Sequence, residues 1–248
     1  MSETKNGGFI GLASLGFMLA LGLVLASFII SGTIKKIKLT DQKISVKGYA
    51  EKDIISDLGI WSGEFSVSSL DLVSGYNKLE QDLNVVVKYL ESKGIKKSDI
   101  NISSVTTNRN YKLNEQGNYT NEFIGYTLTQ LITVRHKDVK LIAAISNEST
   151  SLIKEGIEFM SNQPSYYYTK INDLKIEMLG EAAKDARIRA EQLAKNSGGE
   201  VGALVSASQG VFQITSKNST EVTDTGMFDT SSIEKTIKAV ITIDYSIY

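Results

Sequence analysis

An uninterrupted apolar stretch opens the hydrophobic pattern of this chain. Residues 9–30 contain no charged side chain, and as a helix they span roughly 33 Å, against about 30 Å for the hydrocarbon core of a bilayer. A cleaved signal peptide is the alternative, but its apolar part usually has about 7 to 15 residues, followed by a small-x-small site. We therefore predict a short polar N-terminus at residues 1–8, an uncleaved transmembrane anchor at 9–30 and a linker at 31–42.

A second pattern, with a period of 3.6 residues, begins at Ile171 and predicts one long amphipathic helix. Its charged positions lie opposite an apolar stripe, so we expect the helix to lie on a sheet. The segment Asn196 to Gly199 ends the helix, and a strand follows at Val201 to Ser208. The predicted stripe contains Ile171, Leu174, Met178, Leu179, Ala182, Ala183, Ala186, Ala190 and Leu193.

Alternating patterns, which are typical of strands, fill much of the remaining chain. Residues 43–248 are predicted to form one α+β domain with a largely antiparallel sheet and packed helices. The C-terminal strand is the clearest, with one face formed by Ile237, Ala239, Ile241, Ile243, Tyr245 and Ile247. The other predicted elements are strands within Lys43–Ser69, helices at Asp71–Ser92 and Val139–Asn147, a hairpin of Ile100–Tyr111 and Ile124–Arg135 with the loop Asn114–Glu122, a short strand at Gly156–Ser161, and a polar insert at Ser216–Thr230.

Composition and charge narrow the function classes. The formal net charge of -1 comes from interspersed acidic and basic residues, so there is no basic face for nucleic acid. The chain has no cysteine and a single histidine, which excludes thiolate metal sites, cysteine nucleophiles and multi-histidine metal sites. That histidine, His136, ends a predicted strand, where a surface or turn role is expected rather than general-base catalysis. We predict no cofactor, no metal and no catalytic residue.

Three carboxylates on the long helix, Glu177, Glu181 and Asp185, are candidates for binding a hard cation or for acid–base chemistry. Lysines and arginines are interleaved with them, however, and residues four apart on a helix are neighbours. A solvated, ion-paired face therefore explains these carboxylates without a site. The predicted pairs are Asp185 with Arg189, Arg187 with Glu191, and Glu191 with Lys195.

Two features predict a contact surface instead. Tyr166, Tyr167 and Tyr168 lie in a predicted loop, and tyrosines are enriched where protein surfaces meet. The same tyrosines could equally cover a sheet edge within one chain. Arg189 projects near the edge of the apolar stripe, where it snorkels, pairs with Asp185 or contacts another subunit.

Five segments of the sequence, taken in order, resemble those of a known protein family. The strongest resemblance is in the Ala-rich helix and the glycine turn that follows it. The five segments are ISVKGYAE at Ile44–Glu51, KYLESKGIKKSDI at the end of the first predicted helix, GYTLTQLITVR from Gly125, GIEFMSN from Gly156, and EAAKDARIRAEQLAKNSGGEVGALVSAS from Glu181. In this order they resemble the SIMPL-domain family of bacterial envelope proteins, across about Lys43 to Tyr248. One departure is Ser56-Asp57, where the family commonly has Pro-Asp.

The resemblance implies an exported or membrane-anchored α+β protein, and members of the family can form large ring-like homo-oligomers and have been linked to envelope stress. It supplies no catalytic residue. It also implies an extracytoplasmic body, periplasmic or extracellular, whereas the positive-inside rule favours the cytoplasm because lysines follow the anchor. These are Lys35, Lys36, Lys38, Lys43 and Lys47. Since large translocated domains respond weakly to this rule, we expect the body outside the cytoplasm.

These observations favour a non-enzymatic envelope protein, anchored in the membrane through residues 9–30. It would act as a homo-oligomer or by binding an unidentified protein partner, in envelope or oxidative stress. One alternative is a sensor that binds a small ligand in a mouth formed by the tyrosine loop and the polar insert. A second alternative is a hydrolase built on the carboxylates of the long helix together with Ser or Tyr.

Overall fold

The computed structural model describes residues 6–40 and 43–248. Residues 1–5 of the predicted polar N-terminus and residues 41 and 42 of the predicted linker lie outside the described residues. The helices and strands are, in chain order, α1 (Asn6–Thr40), β1 (Lys43–Ile55), β2 (Leu58–Ser69), α2 (Leu72–Ser92), β3 (Ile100–Ile102), β4 (Thr106–Leu113), β5 (Tyr119–His136), α3 (Val139–Glu148), β6 (Glu158–Ser161), β7 (Ser165–Tyr167), α4 (Ile171–Asn196), β8 (Val201–Gln209), β9 (Gln213–Ser216), β10 (Met227–Phe228) and β11 (Glu234–Ile247).

The predicted α+β class with antiparallel sheets is confirmed. Helices α2, α3 and α4 lie within a residue or two of their predicted bounds. Helix α1 contains the predicted apolar run and continues through residues 31–40. Its segment Ser14–Ser31 has no buried residue and is long and apolar enough to cross a membrane.

Contacts divide the chain into two compact units. The anchor unit contains Met1–Ala50, Leu179–Gly210 and Val240–Tyr248. The hairpin unit contains Glu51–Met178 and Val211–Ala239. Strands β1 and β11 and helix α4 therefore contribute residues to both units.

In the anchor unit, α4 packs against a sheet of β1, β11 and β8. Strand β8 pairs antiparallel with the last residues of β11, and Ala207 lies opposite Ile243. Leu193, which was predicted in the apolar stripe, is 52% exposed. That assignment is wrong because the buried positions recur every four residues and so drift around the helix by about 40° per step. The buried helix residues of this unit are Ala182, Ala186, Ala190 and Ala194.

In the hairpin unit, α2 and α3 pack on a six-stranded sheet. Strand β2 pairs antiparallel with β5, β6 and β7, and β5 pairs antiparallel with β3 and β4. The two helices begin after Asp71 and Asp138, whose carboxylates accept hydrogen bonds from N–H groups of the first turn. The core of this unit includes Trp61, Phe65, Leu79, Val86, Leu128, Ile132 and Ile142.

The turn between β1 and β2 contains Ser56-Asp57, the departure from the SIMPL pattern. The N–H of Ser56 donates to the carbonyl oxygen of Ile233 at 2.9 Å, a bond that proline cannot make. The Asp57 carboxylate accepts hydrogen bonds from the N–H and the hydroxyl of Thr169, both at 2.7 Å. Polar contacts therefore hold this turn in place of a proline ring.

Candidate contact surfaces

The hairpin arm, defined as β4 together with residues 119–125 of β5, is a two-stranded ribbon whose side chains are largely exposed. At its tip the N–H of Asn114 donates to the carbonyl oxygen of Asn118 at 2.9 Å. The Asn114 side chain accepts hydrogen bonds from the N–H groups of Gln116 and Asn118 at 3.1 and 2.9 Å. The predicted loop Asn114–Glu122 is too long, because this asparagine closes a tighter turn and β5 begins at Tyr119.

One face of the hairpin arm is apolar. Tyr111 lies opposite Phe123, with ring centroids 6.2 Å apart at 75°, and Phe123 contacts Tyr126 at 5.0 Å and 66°. Leu113 pairs with Tyr119 nearer the tip, and Tyr119 is 80% exposed. Edge-to-face rings of this kind stabilise the ribbon, yet the outer surfaces of these side chains remain in contact with solvent.

The other face of the hairpin arm is polar and electrically balanced. Lys112 alternates with the apolar residues of β4, and its Nζ lies 3.1 Å from Oε2 of Glu122. The hydroxyl of Thr120 donates to the carbonyl oxygen of Lys112 at 2.8 Å. The arm is thus amphipathic, with a neutralised polar face and an uncovered apolar face.

A second surface is the β1 groove of the anchor unit, which has a volume of about 520 Å³ and is lined by residues 45–47 of β1 together with Ile188, Arg189, Gln192 and Leu193 of α4. Arg189, one of the predicted contact residues, donates from Nε to Oδ2 of Asp185 at 2.8 Å. The same carboxylate oxygen accepts the backbone N–H of Tyr49 at 2.8 Å. The predicted pair of Asp185 and Arg189 is therefore present, and it stands beside an open groove.

The three tyrosines predicted as contact residues differ in burial. Tyr166 is buried within the core of the hairpin unit, and this burial raises the pKa of its phenol. Tyr167 and Tyr168 are half-buried. The backbone N–H of Tyr166 donates to the carbonyl oxygen of Thr230 at 2.7 Å. The tyrosine segment and the polar insert therefore lie side by side, as the ligand-binding alternative requires. At this point a direct backbone hydrogen bond joins them, and no space for a ligand separates the two backbones.

The three candidate carboxylates of α4, Glu177, Glu181 and Asp185, each have a different basic partner. Glu177 accepts from Lys52 at 2.6 Å in the hairpin unit. In the anchor unit Glu181 accepts from Lys184 at 2.6 Å, and Arg187 donates to Glu191 at 2.6 Å as predicted. The predicted pair of Glu191 and Lys195 is not among the ion pairs of the described residues. Within those residues, no group of acidic and histidine side chains is arranged to hold a metal ion.

His136 is placed at the end of β5, as expected, and is half-buried. Its Nδ1 accepts a hydrogen bond from the backbone N–H of Asp138 at 3.0 Å, and Asp138 in turn caps α3. The imidazole therefore takes part in the strand-to-helix turn.

A comparison with known families agrees with this architecture. The sequence profile of the SIMPL family, described as protein of unknown function (DUF541), matches residues 44–245. The chain belongs to the SIMPL family. No curated protein sequence matches the chain. The SIMPL match begins at β1 and ends within β11, so it includes both contact surfaces and leaves out the apolar segment of α1.

The SIMPL domain also contains a buried lysine that the sequence interpretation missed. Lys235 is 2% exposed, and its Nζ donates to the carbonyl oxygen of Ser232 at 2.5 Å and lies 3.5 Å from Oδ2 of Asp229. Burial lowers the pKa of Lys235, and the nearby Asp229 charge opposes this effect. Extending the alternation of β11 backwards from Ile237 places Lys235 on the buried face, so the pattern contained the signal.

Asp229 is held ionised by its hydroxyl neighbours. Burial raises its pKa, but hydrogen bonds from the hydroxyls of Ser232 and Ser231 and from the N–H of Ser231 outweigh burial and lower the pKa to about 2. The Ser231 bonds measure 2.7 Å from the hydroxyl and 2.8 Å from the N–H. Because the SIMPL domain buries Lys235 completely, we interpret this pair as a tie for the segment before β11 and not as a reactive site.

Proposed function

We propose that this SIMPL protein is a membrane-anchored, non-enzymatic envelope protein whose body acts through self-association. The observation that carries the proposal is the apolar face of the hairpin arm. Contiguous exposed apolar surface marks sites of protein–protein contact, and tyrosine and phenylalanine are the residues enriched there. The face consists of Tyr111, Leu113, Tyr119 and Phe123, all of which are exposed.

A second copy of the chain fits this face in area. A large aromatic side chain buries about 150–250 Å², so the partly exposed face offers on the order of 500 Å² per copy. Two such faces together approach the roughly 1,000 Å² that a specific interface needs. Lys112 and Glu122 neutralise each other on the polar face. Arg109, two residues before Tyr111 and farther from the tip, is the other charged residue of the arm strands.

Membrane attachment strengthens such a contact. In this proposal the segment Ser14–Ser31 of α1 remains uncleaved and spans the bilayer. Anchoring copies in one membrane raises their effective concentration, so a weak contact between arms is sufficient for assembly. The family resemblance, which implies homo-oligomers and a role in envelope stress, supports the same conclusion.

Light scattering on the full chain in detergent micelles tests the assembly. We expect a protein mass of a dimer or larger oligomer, and a monomer for the double variant Leu113→Ser/Tyr119→Ser. The matched control is Lys112→Ser/Glu122→Ser on the polar face, which removes an exposed ion pair of little energetic weight and should leave the mass unchanged. A monomeric wild-type chain, or equal masses for all three proteins, would refute the proposal.

The extracytoplasmic position of the body is tested separately. Since the chain has no cysteine, the exposed Thr220 can be changed to cysteine and treated with a membrane-impermeant thiol reagent on intact cells. We expect labelling without lysis. Labelling only after lysis would place the body in the cytoplasm, as the lysines after the anchor favour.

The link to envelope or oxidative stress has its own test. A strain that lacks the protein should grow less well under envelope-damaging or oxidising conditions, and the wild-type chain should restore growth. If the arm acts in this role, Leu113→Ser/Tyr119→Ser should fail to restore growth at equal protein level. Full restoration by that variant would separate the stress role from self-association.

A further inference from the structure

We propose that the β1 groove binds an extended peptide segment with apolar and acidic side chains, which adds to β1 as a further strand. The proposal is independent of the hairpin arm, because the groove lies in the anchor unit and the arm in the hairpin unit.

The outer edge of β1 is available for strand pairing. Among the described strands β1 has β11 as its one neighbour. Backbone groups of successive residues in a strand point to opposite edges, and the N–H of Tyr49 points away from β11 because it donates to Asp185 on α4. The backbone groups of Lys47 and Ser45, two and four residues before Tyr49, therefore face the same open edge.

The groove above this edge accepts apolar side chains. Helix α4 overhangs β1 there, and its Ile188 and Leu193 are 58% and 52% exposed. An extended chain paired with β1 directs every second side chain toward α4, where these two residues lie. Main-chain hydrogen bonds to an open edge with alternate side chains in pockets are the general mode of peptide binding by strand addition.

The charge of the groove selects an acidic segment. Lys47 forms no ion pair within the described part of the chain, and Arg189 adds a second cation, although its Nε is engaged with Asp185. Asp185 is itself occupied by Arg189 and by the N–H of Tyr49. Val46 and Gly48 face α4, so Lys47 projects from the opposite face of β1. A carboxylate on the solvent-side residues of the added strand therefore meets Lys47 as a cation without a competitor, whereas a basic residue there meets a like charge.

Asp185 also limits the length of the added strand. Because its carboxylate occupies the outward N–H of Tyr49, the added strand pairs with Ser45 and Lys47 and ends before Tyr49. A short segment of about five or six residues, the usual length of a strand, is therefore the ligand that this edge accommodates.

Fluorescence anisotropy with defined peptides tests the proposal on the full chain in detergent micelles. The probe is a fluorescein-labelled peptide of about six residues that alternates valine and threonine between terminal aspartates. Two matched probes carry terminal lysines, or N-methyl groups on alternate backbone nitrogens so that the side chains are kept and strand pairing is blocked. We expect saturable binding of the aspartate probe with a Kd below about 1 mM and at least tenfold weaker binding of the other two.

Two charge-reversal variants locate the site. Lys47→Glu should weaken binding of the aspartate probe about tenfold or more and strengthen binding of the lysine probe. Lys195→Glu changes net charge equally on the last turn of α4, outside the groove, and should bind like the wild type. Absence of saturable binding, or equal binding of the N-methylated probe, would show that the edge of β1 does not pair with an added strand and would overturn the proposal. An unchanged far-UV circular dichroism melt of Lys47→Glu confirms that the variant is folded.

Discussion

Gly48 of β1 lies directly against the backbone of α4 at Ala182. A Cβ added at residue 48 would stand 2.0 Å from the carbonyl oxygen of Ala182 and 2.7 Å from Cβ of Ala186. Backbone cannot move aside as the end of a side chain can, so glycine is required for this close approach. We expect Gly48→Ala to separate helix and strand and to lower the free energy of unfolding by about 1–3 kcal/mol or more, measured by urea denaturation.

Gly180 supplies the matched control for this prediction. It lies within α4, and a Cβ there would meet nothing within 4 Å. Gly180→Ala should therefore raise the free energy of unfolding by up to about 1 kcal/mol, through helix propensity alone. If Gly48→Ala were as stable as Gly180→Ala, the close approach of β1 and α4 would be wrong.

Ala186 tests the same interface from the helix side. It is fully buried, and its Cβ lies against Gly48 of β1. Ala186→Leu should overpack this contact and cost about 1–3 kcal/mol of the free energy of unfolding, measured in the same denaturant titration. Ala183→Leu, at a half-buried position of the helix, is the control and should cost less. Equal costs would mean that the buried positions of α4 are misassigned.

The helix–strand contact explains why the sequence was informative about the fold. Gly48 belongs to ISVKGYAE and Ala186 to the Ala-rich helix, two of the segments that carry the family resemblance. Periodicity located α4 and most of its buried side. It misplaced Leu193 because a helical wheel assumes a straight stripe, whereas the buried alanines drift around the helix. That drift depends on the sheet beneath, which local sequence does not encode.

The contact surfaces were harder to predict from the sequence than the fold was. The sequence indicated a hairpin, but register shifts near Tyr111 decide which side chains share its apolar face, and such irregularities have no simple pattern. Tyr166 was predicted as a contact residue from its neighbours, yet it is buried because β7 pairs with β2. Arg189 was placed beside the β1 groove only once the edge of β1 was known.

The buried pair of Asp229 and Lys235 leads to a prediction about stability when one of the two charges is removed. Removing Asp229 leaves the Lys235 ammonium buried without its counter-charge. We expect Asp229→Ala to lower the free energy of unfolding by about 3 kcal/mol, the low end for a broken buried pair. Lys235→Met removes the buried ammonium, and Asp229, whose side chain is 14% exposed, keeps its hydrogen bond from the Ser231 hydroxyl. The loss should therefore be about 1–2 kcal/mol, smaller than for Asp229→Ala. Urea denaturation of both variants measures the two losses in the free energy of unfolding. A larger loss for Lys235→Met than for Asp229→Ala would contradict this account of the pair.

The lowered pKa of Asp244 predicts how the free energy of unfolding depends on pH in acid. Hydrogen bonds from Lys43 first, and then from Ser45 and Ser206, lower its pKa to about 2, and the Lys43 bond measures 2.6 Å. The unfolded chain, with a carboxyl pKa near 4, binds this proton more readily than the folded protein. The stabilising contribution of Asp244 is therefore complete above about pH 5 and is lost as the pH falls from about 4 to about 2.

Urea denaturation across this pH range measures the effect. The free energy of unfolding of the wild type should fall steeply below about pH 4, and Asp244→Asn should fall less steeply because one carboxyl no longer titrates. The pKa of Asp229 is also lowered to about 2, so in the Asp244→Asn variant the free energy of unfolding still depends on pH through Asp229. Asp229→Asn/Asp244→Asn should therefore be flatter than either single variant. Parallel curves for the wild type and Asp244→Asn would show that Lys43 does not hold this carboxylate in solution, and the join between β1 and β11 would then depend on backbone pairing alone.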